Sequence, residues 1–221
     1  MTHRAEAVAR RVEADEAAVQ SLDALWLRCQ QRLVAQVAHD LKGALNGASV
    51  NVEVVRGRAG RPETPAANLL RYADAASVQL GVVIRMATAL LSIGRGVRGS
   101  AEVSAIVRQL VGLLEDTLAS DGARLDLAID GGLAGETSAP PSAVRLAIGE
   151  ALLSVVLKKR DVAVRVRAAA TPTVEIRSAS SVEILPDVGR ALADAGIKIK
   201  MDGHGISMVF PAPLETPTEE A

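Results

Sequence analysis

The chain has 221 residues, of which 49% are hydrophobic, so it can bury a sizeable core as one large or two small domains. Its 1% aromatic content and net charge of −1 argue against nucleic-acid binding, which favours stacking platforms and surplus positive charge. The single cysteine excludes an internal disulfide and a cysteine zinc cage. We see no apolar run near the roughly 20 residues that span a bilayer and no signal peptide, which predicts a cytoplasmic protein without membrane contact.

The first part of the chain is predicted to be a helical hairpin. Residues 1–20 are charged and predict an N-terminal helical extension, with a break expected near Ser21. The helical pattern then continues to Arg56, and the glycines and prolines of residues 57–65 end it. A second helix has apolar residues in heptad spacing, namely Leu69, Ala73, Ala76, Leu80, Val83, Ala87 and Leu90. Two such stripes cannot bury each other fully, so residues 21–97 predict a homodimer with a four-helix bundle.

A second domain of different texture is predicted for residues 101–211, after a glycine-containing linker. Helical patterns at residues 101–119, 142–157 and 188–195 are interspersed with alternating, strand-like segments. These segments comprise residues 124–129, 162–167, 174–177, 197–201 and 206–210. The whole chain is therefore predicted to be α+β, with a helical hairpin followed by an α/β layer. Residues 212–221 are rich in Pro, Glu and Thr and predict a disordered tail.

His39 is predicted to face solvent in the middle of the first helix. Seven apolar residues recur there at helical spacing: Val34, Val37, Leu41, Leu45, Ala48, Val52 and Val55. At about 100° per residue, this stripe points about 200° away from the imidazole. Ala35 and Gly43, one turn away on either side, leave room for a macromolecule to approach. Gly43 costs roughly 1 kcal/mol against alanine in a helix, and close approach of a partner could compensate for it.

The segment His39-Asp40-Leu41-Lys42-Gly43-Ala44-Leu45-Asn46 resembles the phosphoacceptor motif of sensor histidine kinases. In that motif an acidic residue, an aliphatic residue and a basic residue follow the histidine, and Ala44 stands where proline is commonest. The resemblance covers residues 22–211 and implies that the second domain is similar to the GHKL, or Bergerat-like, ATP-binding sandwich of those kinases.

The second domain departs from the kinase pattern where nucleotide would bind. Ser154 stands where the family has a magnesium-binding asparagine, and residues 177–181 have neither the acid nor the glycines of the adenine-binding segment. Glu150 on the same helix could be a remnant of a catalytic acid or a structural residue. A triphosphate needs backbone amides, a metal and a cation to hold its charge. We therefore expect a degenerate lobe with no ATP and no cofactor.

The chain as a whole resembles the dimeric histidine phosphotransferases, which have such a degenerate lobe. This resemblance implies that His39 accepts a phosphoryl group from a receiver-domain aspartate and passes it to another, with Mg²⁺ on the partner receiver. The partners would be response regulators or the receiver domain of a hybrid histidine kinase. Asp40 would orient the imidazole and Lys42 would offset phosphate charge. The residues expected at the docking surface are Arg32, Gln36, Gly43, Asn46 and Val50.

Gly43 also stands where phosphatase-active kinases carry Thr or Asn, so strong phosphatase activity is not expected. Two alternatives stay open at this point: a divergent kinase that autophosphorylates, and a non-catalytic dimeric scaffold for kinases or receivers.

Overall fold

A computed structural model describes residues 2–61, 65–93, 101–130 and 135–213, with side chains from residue 22 onward. Helix α1 spans Thr2–Ala59 and helix α2 spans Ala66–Ile93, and together they form the predicted hairpin. The break expected near Ser21 is wrong, because α1 is continuous from the N-terminal extension into the hairpin. The predicted linker at Gly94–Gly99 and most of the predicted tail lie outside the described residues.

The second lobe is a five-stranded mixed sheet with helices packed on it. Its elements, in chain order, are β1 (Ala101–Glu102), α3 (Val103–Ser120), β2 (Leu125–Asp130), β3 (Glu136–Thr137), α4 (Pro141–Val156), β4 (Val162–Arg167), β5 (Thr173–Ser178), α5 (Pro186–Asp194), β6 (Lys198–Asp202) and β7 (Gly205–Val209). The sheet order is β2-β4-β5-β7-β6, in which only the β2–β4 pair is parallel. The short strands β1 and β3 pair separately. The predicted α+β class, with a hairpin followed by an α/β lobe, is confirmed.

The sheet has one apolar and one polar face because side chains alternate along each strand. In β4, Val162, Val164 and Val166 are buried, whereas Arg165 and Arg167 are exposed. The buried valines join one core with α3 and α4, whose side chains are almost entirely enclosed. This packing fixes the ends of α3 and α4 relative to the hairpin.

Helix α1 carries two apolar stripes, of which the sequence analysis recognised one. The second stripe packs on the lobe and comprises Leu22, Leu25, Trp26, Cys29 and Leu33, and Val37 of the first stripe lies next to it. These residues share one hydrophobic core with α3, α4 and the sheet. The contact is tight, since a β-carbon added to Gly149 of α4 would lie 2.8 Å from the sulfur of Cys29. Hairpin and lobe are therefore joined by a common core.

The first stripe of α1 is only partly covered within one chain. Val37 and Ala48 are buried, but Val34, Leu45 and Val52 are 38%, 44% and 51% exposed. The predicted stripe of α2 divides in the same way, with Ala76 buried and Leu80 exposed. The two helices thus bury one side of each of these stripes against each other, and the other side of each stripe stays exposed in a single chain.

Helix α2 is long and apolar enough to cross a membrane by length and composition. This differs from the sequence-based expectation, which relied on uninterrupted apolar runs. Only 17% of its most apolar 18-residue window is buried within the chain. The exposed apolar surface of α2 therefore needs a cover from outside the chain.

Candidate functional site

His39 lies on the outer face of α1 with 86% of its side chain exposed, as the helical spacing predicts. Its Nδ1 lies 3.0 Å from Oδ1 of Asp40, whose own side chain is only 13% exposed. Because an ionised carboxylate can only accept a hydrogen bond, Nδ1 carries the proton in this arrangement. The lone pair of a neutral ring then resides on Nε2. The geometry leaves an accessible nucleophilic nitrogen.

Asp40 is itself positioned by a second contact on the same helix. Gln36, one turn earlier, donates a hydrogen bond from Nε2 to Oδ2 of Asp40 at 3.3 Å. The two oxygens of the carboxylate are thus shared between the imidazole and an amide. Gln36 is half-buried, so this residue, which was predicted to dock a partner, supports Asp40 within the chain.

A cavity of about 450 Å³ opens beside the imidazole, between the hairpin and the second lobe. Its lining comprises His39, Asp40, Gly43 and Ala44 of α1, Gln79, Val82 and Met86 of α2, and Asp116, Ala119 and Ser120 of α3. A β-carbon on Gly43 would have no atom within 4 Å, so the surface around this glycine is open. The histidine is therefore reached both from outside and from the junction of the two lobes.

Three carboxylates and two cations surround this junction. Arg85 of α2 binds Asp116 with two nitrogens, at 3.1 and 2.7 Å, and this pairing raises the pKa of the guanidinium. Lys159, just after α4, binds Asp121, just after α3, at 2.8 Å. Asp121, and more weakly Asp40, raise the pKa of the Lys159 ammonium. Both cations keep their charge at neutral pH.

The other predicted docking residues fall into two groups. Lys42, Gly43, Asn46 and Val50 are accessible on the surface of α1, and 62% of Val50 is exposed. Arg32 instead contacts the second lobe, where its Nη1 lies 2.8 and 2.9 Å from the two carboxylate oxygens of Glu150. The Glu150 side chain is 6% exposed, so Arg32 is the partner that balances a buried charge. Its predicted docking role stays a prediction.

A second cavity, of about 460 Å³, lies between the end of α4 and the segment that follows β5. Ser154 lines it, and its Oγ accepts a hydrogen bond from the backbone N–H of Glu183 at 3.3 Å. Lys158 donates to the Glu183 carboxylate at 2.9 Å and to the carbonyl of Ser181 at 2.6 Å. The segment after β5 is thus tied to the end of α4 by contacts within the chain. Among the described residues, no group of three His, Cys, Asp or Glu side chains could hold a metal.

The chain matches no protein-family model and no curated protein. Its fold does resemble solved histidine kinases. The nucleotide-free catalytic domain of histidine kinase ThkA is 9% identical, with a TM-score of 0.42 over 52% of this chain and 96% of that chain. The cytoplasmic segment of histidine kinase QseC is 13% identical, with a TM-score of 0.42 over 70% of this chain and 99% of that one.

A third structure contains ThkA in complex with the response regulator protein TrrA. It is 14% identical, with a TM-score of 0.36 over 95% of this chain and 67% of that chain. Identities and TM-scores this low do not by themselves assign an activity to this chain.

The sequence analysis missed the residues that the second lobe brings to the histidine. Asp116, Ala119 and Ser120 line its cavity and are 77 or more residues away along the chain. No short motif marks them, because their proximity to α1 depends on how the lobe packs against the hairpin. The second apolar stripe on α1 could have been detected from the sequence, since Leu22, Trp26, Cys29 and Leu33 follow helical spacing. It predicts that the second lobe packs on α1, in addition to the contacts expected with α2 and with a second copy of the chain.

Proposed function

We propose that the protein is a phosphocarrier that relays a phosphoryl group between receiver-domain aspartates through His39. The proposal rests on one observation, the exposed imidazole with its Nδ1 on Asp40 and its Nε2 free. The transfer needs little chemistry from the protein beyond positioning and charge balance.

The reaction can be written with every bond accounted for. The Nε2 lone pair attacks the phosphorus of an aspartyl phosphate on the first receiver. The new N–P bond forms as the P–O bond to the aspartate breaks, and the aspartate carboxylate leaves. Positive charge develops on the imidazole, and Asp40 offsets it through the Nδ1 hydrogen bond at 3.0 Å. Attack by the carboxylate of a second receiver reverses these steps.

The second lobe is proposed not to use ATP. Ser154 offers one hydroxyl where the family has a metal-binding amide, and this hydroxyl already accepts the N–H of Glu183. Lys158, the cation nearest that segment, is held by Glu183 and Ser181. A triphosphate would have to compete with a carboxylate for the lysine and would find no acidic metal ligand among the described residues of that cavity except Glu150 and Glu183. Both of these carboxylates already have cationic partners.

The exposed strips of the hairpin support a homodimer as the working form. Among the described side chains of α1, four of the five exposed large apolar residues lie within about 20° of one another around the helix, namely Leu27, Val34, Leu45 and Val52, and the fifth, Val50, lies on the His39 side. On α2 a similar strip is formed by Ala73, Leu80, Ile84 and Leu91, which lie within about 40° of one another, whereas the exposed Leu70 and Val78 lie outside it. Such narrow strips are typical of helix bundles, whereas a lipid-facing helix is apolar all round.

His39 would stay accessible in that dimer. The exposed strip of α1 lies about 130° around the helix from the imidazole, at 100° per residue. A second copy packed on the strip would therefore cover the apolar residues and leave the His39 surface free. Receiver domains could then approach from two sides of the bundle.

The decisive experiment compares phosphate donors on the full chain. The protein is incubated with radiolabelled ATP alone, and separately with receiver domains phosphorylated beforehand. The proposal expects acid-labile label from a phospho-receiver only, lost in His39→Gln and kept in His204→Gln. His204 is a fair control because it lies in the β6–β7 turn, where its backbone N–H binds Asp202.

Each other outcome favours a different function. Label on His39 from ATP alone would identify a divergent kinase. The absence of label from every phospho-receiver, with unchanged receiver binding by His39→Gln, would identify a scaffold. Calorimetry with ATP and Mg²⁺ checks the second lobe independently, and measurable binding there would contradict the proposed lack of nucleotide use.

A further inference from the structure

We propose that Lys159 of the second lobe is a phosphate-binding residue of the His39 site. The inference rests on the proposed phosphocarrier function and adds a residue that comes from the lobe rather than from the hairpin. It also gives the degenerate lobe a role in the chemistry at His39.

The position of Lys159 follows from its contact with an acid at the edge of the His39 cavity. His39 and Asp40 line the same cavity as Ser120, the last residue of α3. The next residue, Asp121, binds the Lys159 ammonium at 2.8 Å. Asp121 therefore holds the lysine next to the Ser120 side of the cavity, and the charge of Asp40 also helps to raise the pKa of its ammonium.

The charges around the cavity create a need for this cation. A phosphoryl group on His39 brings about two negative charges at neutral pH. It would join Asp40, 3.0 Å from the ring, whereas Asp116 in the cavity wall is already paired with Arg85. Without a further cation, Asp40 would repel the phosphoryl group of the donor as well as that of the product.

Lys159 is the more mobile of the two cations. Arg85 holds Asp116 with two nitrogens at once, which fixes the orientation of its guanidinium. An ammonium has three N–H donors, and Asp121 takes one from Lys159. The Lys159 side chain is 64% exposed, so it can turn between Asp121 and an incoming phosphoryl group. Lys42 is also exposed, at the edge of the α1 face that carries His39 and about 60° around the helix from it.

The backbone at Lys159 supports a functional explanation. Lys159 has a φ of 53° and is the one non-glycine residue with positive φ among those described. The left-handed conformation costs an ordinary side chain roughly 1 kcal/mol, and glycine or asparagine fits it better. Backbone preference therefore does not explain a lysine at this position, since glycine would relieve the strain.

The test measures phosphorylation of His39 by phosphoramidate, which needs no partner protein. Nε2 forms the N–P bond while the P–N bond of phosphoramidate breaks and ammonia leaves. Lys159→Gly removes the ammonium and suits the left-handed backbone, so the fold should be kept. We expect its rate to fall about tenfold, since the lost contact is charge-assisted but solvent-exposed, and Lys159→Arg to recover most of the rate.

Lys158→Met is the matched control, because Lys158 is the neighbouring residue and is held by Glu183 and Ser181. Its rate should equal that of the unaltered protein. Wild-type rates in Lys159→Gly would overturn the inference while leaving His39 as the phosphocarrier. No label on the unaltered protein from phosphoramidate or from any phospho-receiver would instead overturn the proposed function. Thermal melts of each variant separate a folding defect from a loss of rate, and an Asn substitution serves if Lys159→Gly melts early.

Discussion

Cys29 of α1 and Gly149 of α4 are in contact so close that no side chain larger than hydrogen fits between the helices. A β-carbon on Gly149 would lie 2.8 Å from the Cys29 sulfur and 3.3 Å from the Trp26 ring. The hairpin and the lobe meet at this point, and the contact belongs to their common core. The stability of that junction can be tested residue by residue.

Gly149→Ala should destabilise the protein, although alanine is the better helix former by about 1 kcal/mol. The overpacking cost is about 1–3 kcal/mol, so once the gain in helix propensity is subtracted the net loss in the free energy of unfolding is about 0–2 kcal/mol. Gly112→Ala is the control, because Gly112 is an exposed glycine of α3 with no atom within 4 Å of an added β-carbon. It should raise stability. Urea denaturation measures both, and a more stable Gly149→Ala protein would contradict the tight junction.

Arg32→Met should cost about 1–3 kcal/mol of unfolding free energy, because it leaves the buried carboxylate of Glu150 without its cation. Arg28→Met provides the comparison. Arg28 binds Asp187 at 2.9 Å, but both side chains are more than half exposed, so solvent screens that ion pair and its loss should cost much less. Equal costs for the two variants in chemical denaturation would show that Glu150 does not depend on Arg32.

The Cys29 thiol should resist alkylation in the folded protein. Burial is the main cause that raises the pKa of this thiol, and Glu150 raises it further. A raised thiol pKa means that the reactive thiolate is scarce in the folded state and becomes available only on unfolding or local opening. Iodoacetamide labelling at pH 8, followed by mass spectrometry, should therefore be slow without denaturant and fast in urea. Rapid labelling of the native protein would indicate that α1 separates readily from α4.

Leu45→Glu should convert the proposed dimer into a monomer, because Leu45 lies on the uncovered strip of α1 and is 44% exposed in one chain. Val50→Glu makes the same chemical change at a residue that is 62% exposed on the His39 side of the helix. This second variant should remain a dimer and lose receiver binding instead. Sedimentation velocity at micromolar concentration distinguishes the two. A monomeric unaltered protein that associates with lipid vesicles would favour a membrane as the cover for α2.

Asp40→Ala should slow phosphorylation of His39 by about a hundredfold, because the ring loses the group that holds the Nδ1 proton and offsets developing charge. The rate of Asp40→Asn should lie between those of Asp40→Ala and the unaltered protein, since its carbonyl oxygen can still accept the Nδ1 hydrogen bond without the charge. Quenched-flow or manual time courses with phosphoramidate give the rates. An unchanged rate in Asp40→Ala would show that the imidazole is phosphorylated without help from the Asp40 carboxylate.

Local spacing was sufficient to predict the parts of this site that lie on one helix. The exposure of His39, the adjacency of Asp40 and the openness at Gly43 follow from the helical period. Asp116 and Ser120 could not be predicted in this way, because they reach the cavity beside His39 only through the packing of α3 on the hairpin. The break expected near Ser21 was wrong, since α1 runs without interruption from Thr2 to Ala59.

The apolar core that runs from Leu22 and Trp26 into α4 has a consequence for movement between the hairpin and the second lobe. Any separation of the lobe from α1 would expose these buried apolar side chains to water. Under the proposed function, the protein would therefore be a rigid adaptor whose two states differ only by the N–P bond on His39.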